Sequence, residues 1–225
     1  MLVKNWMSKP AITINADAAI QDAIGLLKQH EIRMLPVMEY DQLVGVITDR
    51  DLKRASASEV ASLDIYELAD LISRIKVKTI MTKDPVTVPY DYTVEETAAL
   101  LFVHNISGVP VVDQTGTLLG VITKTDIFQV LISLTGISKK GIQFAFKLMD
   151  RPGAIKDVTD LLRDYGGRIA SILSTRERAD KGYLNVYIRV YGFDPVSRQR
   201  IKEVIKNKVP PLYVIDHEEK IREIF

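Results

Sequence analysis

One internal repeat constrains this chain more than any other feature. Sliding the sequence on itself by 74 positions lays Met7 on Met81, Thr13 on Thr87, Asp17 on Asp91 and His30 on His104. The same shift lays Ile32 on Ile106 and Pro36-Val37 on Pro110-Val111. One extra residue then enters the turn Asp113-Gln114-Thr115-Gly116. A shift of 75 lays Gly45-Val46-Ile47-Thr48 on Gly120-Val121-Ile122-Thr123, and Asp51 on Asp126. Any fold for the first half must therefore hold one unit twice.

Each unit carries the same run of elements. A short extended segment, Ala11 to Ile14 or Val86 to Val88, leads into an amphipathic helix, Ala18 to His30 or Val94 to His104. A strand follows at Met34 to Met38 or Val109 to Val112, then a second at Leu43 to Thr48 or Leu118 to Thr123. A last helix starts near Asp49 or Lys124. Both strands of each unit read as continuous apolar runs, which predicts cover on both faces. One unit alone is too small to bury a good core, so the two are expected to pack about a pseudo-twofold axis with two equivalent clefts between them. Ser56 to Lys78 joins them, and Val60, Leu63, Ile65, Leu68, Leu71, Ile72 and Ile75 suggest a linker helix packed on the module.

Composition removes several function classes. The net charge is +1, so there is no global pull toward nucleic acid or an anionic membrane. There is no cysteine, which excludes disulfides, thiol catalysis and cysteine-ligated zinc. No stretch approaches the ~20 apolar residues of a membrane span, and Met1 to Pro10 lacks a signal-peptide core. A cytoplasmic protein is expected. No Walker-type P-loop, nucleophile elbow or HExxH sequence occurs, so no catalytic residue is assigned and the chain is read as a non-enzyme.

The repeated corner, Gly-Val-Ile-Thr-x-x-Asp, has two readings. Thr followed three residues later by Asp at a strand-to-helix junction resembles a capping box, which would explain Thr48 and Thr123 structurally. The same junction offers free N–H groups and a positive dipole end to phosphate. A carboxylate only accepts hydrogen bonds, so Asp51 or Asp126 suits a pair of ribose hydroxyls. Small apolar residues near Ile12 and Val86 could form a slot for a flat base. Arg33 falls opposite Ser107 and Arg50 opposite Thr125. Because a guanidinium holds phosphate through a planar fork, the first site is expected to prefer more phosphate than the second. His30 and His104 each end a first helix, where the dipole favours them. With only His217 besides, no metal site is expected.

The arrangement resembles the cystathionine-β-synthase (CBS) domain family in its tandem-pair form. The features that carry it are Met7-Ser8-Lys9 with Met81-Thr82-Lys83-Asp84-Pro85, Leu35-Pro36-Val37 with Val109-Pro110-Val111-Val112-Asp113, and the two Gly-Val-Ile-Thr-x-x-Asp endings. The resemblance implies two CBS domains at 1–60 and 61–135, the second including the linker helix. It implies a regulatory ligand, AMP, ADP, ATP or S-adenosylmethionine, and no catalytic cofactor. Its implied contacts are Ile12, Thr13, Arg33, Met34, Pro36, Thr48, Arg50 and Asp51 in the first repeat. In the second they are Val86, Thr87, Gly108, Pro110, Thr123 and Asp126.

From Lys140 the texture changes. Ile142 to Leu148 reads as a strand, Asp150-Arg151-Pro152-Gly153 as a turn and Ala154 to Tyr165 as a helix stopped by Gly166-Gly167. Strands at Arg168 to Thr175 and Tyr183 to Val190 flank a charged hairpin. A helix, Val196 to Lys206, and a strand, Leu212 to Ile215, complete a βαββαβ ferredoxin-like order over 141–216, with 217–225 as a tail. The Asp150 to Ile155 turn resembles the ACT domain family, regulatory modules that usually bind amino acids at a dimer interface. That resemblance implies ligand contacts at Asp150, Gly153, Ala154 and Ile155.

The fold class expected is thus mixed α/β (α+β), a tandem CBS pair followed by an ACT domain. That order looks like the acetoin-utilization protein B family, which implies a regulatory role connected to acetoin or butanediol catabolism. The expected protein is a non-catalytic sensor, a homodimer acting on an unidentified protein. The alternative is a structural dimerisation subunit with vestigial pockets.

Overall fold

The computed structural model describes residues 1–58 and 75–225. The linker helix read over Val60 to Ile72 lies outside them. The chain forms two compact units, Met1–Phe128 and Gln129–Phe225.

The first repeat comprises β1 (Ile14–Asn15), α1 (Ile20–Gln29), β2 (Met34–Glu39), β3 (Gln42–Thr48) and α2 (Asp49–Ser58). A short helix, α3 (Val77–Ile80), and β4 (Thr82–Lys83) lead into the second repeat. That repeat comprises β5 (Val88–Pro89), α4 (Val94–Val103), β6 (Gly108–Val112), β7 (Leu118–Thr123) and α5 (Lys124–Thr135). Local chemistry sets the boundaries. Thr93 caps α4, its Oγ1 accepting from the Glu96 N–H at 3.1 Å while Glu96 accepts from the Thr93 N–H at 2.8 Å. The change of shift from 74 to 75 is a change of turn. Tyr40 and Asp41, both at positive φ, close the first hairpin, as a two-residue primed turn requires. In the second, Asp113 Oδ1 gathers the Thr115 and Thr117 N–H groups around a loop longer by one residue.

The two leading segments exchange partners. Thr82 of β4 pairs with Val46 of β3, so the second repeat's leader completes the first repeat's sheet, β1-β2-β3-β4. Reciprocally, Ser8 pairs with Val121 of β7, the Ser8 N–H donating at 2.9 Å and the Val121 N–H donating back at 3.1 Å. The bridges Leu2 to Thr93 and Lys76 to Ala19 are a second pair related by the repeat. Two glycines make room for the crossing. A Cβ on Gly120 would lie 2.6 Å from the Ser8 carbonyl oxygen, and one on Gly45 would lie 2.8 Å from that of Thr82.

The core of the first repeat collects Ile20, Leu27, Leu35, Val37, Ile47 and Val77. Ile75, at the described end of the linker, packs against it. β2 and β6 are buried on both faces over most of their length, as expected. β3 and β7 are not: burial alternates along them, with Gly45 and Ile47, or Gly120 and Ile122, turned inward. Val121 and Thr123, on the other face of β7, line a cavity.

The C-terminal unit contains β8 (Ile142–Met149), α6 (Ala154–Asp164), β9 (Arg168–Thr175), β10 (Tyr183–Tyr191), α7 (Pro195–Lys208), β11 (Tyr213–Asp216) and β12 (Ile221–Ile224). Its sheet order is β12-β11-β8-β10-β9, and the four strands of the βαββαβ run pair antiparallel in ferredoxin-like fashion. Val158 and Leu162 of α6 and Ile201 and Ile205 of α7 share one core with Phe144, Phe146, Val186 and Ile188, so both helices cover one face. The segment read as a tail supplies a fifth strand, β12, paired with β11.

Candidate functional site

The exchange of leaders builds a cavity from both repeats. Its volume is about 620 Å³. Ser8, Pro10 and Ile12 of the first leader form one wall, with Arg33 and Met34 at the start of β2. Ser107 and Gly108 at the start of β6, and Val121, Thr123 and the first turn of α5, form the opposite wall.

The Thr–Asp corner is a reciprocal capping box in both repeats. Thr123 Oγ1 lies 2.7 Å from Asp126 Oδ2, which also accepts from the Thr123 N–H at 2.7 Å. The Asp126 N–H points back at Thr123 Oγ1 at 3.4 Å. Thr48 and Asp51 repeat this geometry, with Oγ1 donating to Oδ2 at 2.6 Å. A carboxylate has no proton to give, so the threonine hydroxyl must donate. That fixes the chemistry presented to a ligand. The corner offers acceptors, Asp126 Oδ1 and the lone pairs of Thr123, which suit hydroxyl donors such as a ribose edge. It does not offer the threonine proton to phosphate.

Donors for an anion come from elsewhere on the same walls. The Lys124 N–H is spent on the Ser107 carbonyl at 2.9 Å. The Thr125 N–H, in the first turn of α5, makes no hydrogen bond among the described residues, as expected of a helix N-terminus. Arg33 and Lys124 are exposed residues of the cavity lining, and neither has an ion-pair partner among the described residues.

The structure brings together Ile12, Arg33, Met34, Gly108, Thr123 and Asp126 of the expected contacts. Thr48, Arg50 and Asp51 form the matching corner at the start of α2 and do not line this cavity; neither do Thr13, Val86 or Thr87. Pro36 and Pro110 are buried within β2 and β6, opposite Val46 and Val121, where they serve the sheets. Arg33 and Arg50, read from the sequence as one phosphate-preferring site, part company here. The crossing joins the start of β2 to the corner of the other repeat, so the second cation beside Arg33 is Lys124. Sequence reasoning missed Lys124, Thr125 and Phe128 as cavity residues. A signal was present: Lys124 stands where the first repeat has Asp49, and Phe128 where it has Lys53.

His30 and His104 are the C-terminal caps of α1 and α4, as expected. Among the described residues no group of three or more His, Asp or Glu side chains is placed to hold a metal ion.

The two repeats match a known family. A family model of the CBS domain matches residues 3–58 and 77–133. The chain belongs to the CBS domain family. A CBS domain-containing protein of Dictyostelium discoideum is 38% identical over 135 residues, which cover 60% of this chain and 93% of that protein. The L-aspartate semialdehyde sulfurtransferase of Methanocaldococcus jannaschii is 35% identical over 127 residues, but this chain spans only 22% of that enzyme's length. Among solved structures, a CBS domain pair crystallised with 5′-methylthioadenosine and S-adenosyl-L-methionine is 32% identical and superposes with a TM-score of 0.50, covering 58% of this chain and 95% of that one. CBS pairs are in general regulatory modules, and the enzymes among the relatives carry the pair as a small part of a longer chain.

In the C-terminal unit, the Asp150 carboxylate takes the Arg176 guanidinium in a two-pronged pair at 2.6 and 2.9 Å, which holds it below the usual carboxylate range. Gly153 starts α6 at φ 84°, a left-handed conformation that favours glycine. Ala154 is buried and Ile155 packs against the core, so both side chains serve the fold. Among the described residues no helix is long and apolar enough to cross a membrane.

Proposed function

We propose that the chain is a non-catalytic regulatory sensor whose CBS pair binds an adenine nucleotide. One observation carries this reading: a single cavity holds an apolar wall from one repeat and an acceptor corner, Thr123 with Asp126, from the other. Its volume of about 620 Å³ lies in the range of small-molecule sites. Ile12 and Met34 offer a surface to a purine, Asp126 Oδ1 accepts from ribose hydroxyls, and Thr125, Lys124 and Arg33 supply donors for phosphate. The adenosyl compounds held by the related CBS pair support the nucleoside assignment. By the repeat, Thr48, Arg50, Asp51, Val86 and Thr87 belong to a second, equivalent cleft.

We read the C-terminal unit as an ACT-type module; strand order and the Gly153 turn support this. Its ligand would be an amino acid near Asp150 and Gly153, in a homodimer. On the resemblance of this module order to the acetoin-utilization protein B family, we assign the protein a regulatory role connected to acetoin or butanediol catabolism. Ligand binding would act on a target only by favouring one of two arrangements of the chain.

A second reading has its own support. Both Thr–Asp boxes are satisfied internally, as a purely structural, dimerising subunit would also need. Thermal shifts with AMP, ADP, ATP and S-adenosylmethionine separate the two. A ligand at ~100 times its dissociation constant adds ~2.7 kcal/mol. For a chain of this size each kcal/mol moves the melting point by ~2–4 °C. A rise of this size with any of the four supports the sensor. A flat response to all four supports the structural subunit.

A further inference from the structure

Resting on the nucleoside reading above, we propose that the cavity between Arg33 and Lys124 selects its adenosyl ligand by charge: it takes a nucleoside polyphosphate and rejects a sulfonium-bearing adenosyl compound. Three observations meet here. The corner of Thr123 and Asp126 is closed on itself and offers acceptors only, so it holds the sugar and leaves the anion to other groups. Two cations, Arg33 and Lys124, stand on the walls of the same cavity with no ion-pair partner among the described residues. The Thr125 N–H adds a third unspent donor at the start of α5.

Against these stand two acids on the walls, Glu31 and Asp126. Asp126 commits Oδ2 to its capping box and leaves Oδ1 to the sugar, and Glu31 is an exposed residue of the lining. S-adenosylmethionine would place a fixed positive charge among Arg33 and Lys124 and offer them one carboxylate in place of a di- or triphosphate. A di- or triphosphate would engage both, the guanidinium through its planar fork and the ammonium as a point charge. The repeat supplies an internal contrast, because Asp49 occupies the position of Lys124 in the first repeat and is itself bridged to Lys53 at 3.7 Å. The charge pattern therefore belongs to this cavity and not to the corner motif in general.

The test is calorimetric titration with ATP, AMP, adenosine and S-adenosylmethionine against the unaltered chain, the double variant Arg33→Gln/Lys124→Gln and the control Lys28→Gln. Both altered cavity residues are exposed, and circular dichroism melts check that the variants fold. The expected result is an affinity order ATP, AMP, adenosine, with S-adenosylmethionine weakest. The ATP-to-adenosine ratio should fall roughly ten-fold in the double variant, which corresponds to the loss of one or two exposed charge-assisted contacts. Adenosine affinity should stay constant, and Lys28→Gln should match the unaltered chain. Equal binding of ATP and S-adenosylmethionine, or an unchanged ratio in the double variant, overturns charge selection while leaving the nucleoside reading intact. Silence with all four compounds, adenosine included, overturns the nucleoside reading itself.

Discussion

Gly120 and Gly45 show how much one absent side chain can decide. Each lets the other repeat's leader lie against a strand, and each would drive a Cβ into a backbone carbonyl. A backbone oxygen cannot swing aside as a side chain can, so Gly120→Ala is expected to lose about 1–3 kcal/mol of stability, the usual range for overpacking. Gly25, inside α1, has nothing within 4 Å of its missing Cβ. Gly25→Ala should therefore gain roughly 0.5–1 kcal/mol through helix propensity. Urea unfolding of the two variants checks the contrast, and similar values would contradict it. His217 gives a second test. Its Nε2 is buried without a hydrogen-bond partner, and burial, with Arg189 and Arg222 nearby, pulls the ring below its ordinary value of 6.5. The fold thus favours the neutral ring. Its contribution is complete above about pH 6.5 and is lost as pH falls through the lowered folded value. Urea midpoints at pH 7.5 and 5.5 should fall more for the unaltered chain than for His217→Gln. At this scale the sequence was half legible. The repeat exposed Gly45 and Gly120 as matched positions, but the reason for them lies in neighbours distant along the chain, Thr82 for Gly45 and Ser8 for Gly120.

At the scale of elements, α7 and the β11–β12 hairpin are joined by a buried ionic cluster. Asp216 is 1% exposed and takes Arg198 at 3.1 Å, Lys202 at 2.7 Å and the N–H groups of Glu218 and Glu219. Burial pushes the Asp216 carboxyl up, yet Lys202 and the two N–H groups together hold it below its ordinary range. Asp216→Ala would leave Arg198 and Lys202 only the partly exposed Glu218 and Glu219 as counter-ions and is expected to cost about 2–3 kcal/mol, below the loss for a buried charge left with no partner. Glu218→Gln, at the exposed end of the cluster, should cost under about 1 kcal/mol. Denaturant titration of both distinguishes a buried anchor from a solvated rim, and equal losses would contradict it. This cluster also explains why β12 escaped the sequence reading. Glu218-Glu219-Lys220-Ile221-Arg222-Glu223 looks like a charged tail, and it becomes a strand edge because Lys202 and Lys206 of α7 pair with Glu219 and Glu223. Strands and helices with a clear apolar period were legible to within a few residues; a strand held by charge was not.

For the molecule as a whole, the crossing of leaders is the main consequence of the duplication. A pair of repeats that each kept its own leader would place the apolar slot and the corner of one site in the same repeat. Here Ile12, Arg33 and Met34 meet Thr123 and Asp126 from the other copy. Sliding the sequence on itself identifies equivalent residues and says nothing about which copy each one faces, so Ile12, Arg33, Met34, Gly108, Thr123 and Asp126 were singled out one by one while their meeting in one cavity was not. Of the two cations, Arg33 stood out in the sequence and Lys124 did not, since Lys124 joins the cavity lining only once the walls are assembled. The most direct test is a crystal structure of the chain soaked in saturating ATP. The account predicts one nucleotide with its base against Ile12 and Met34, its ribose on Asp126 and its phosphates toward Arg33 and Lys124. An empty cavity, or a nucleotide whose contacts all come from a single repeat, would contradict it.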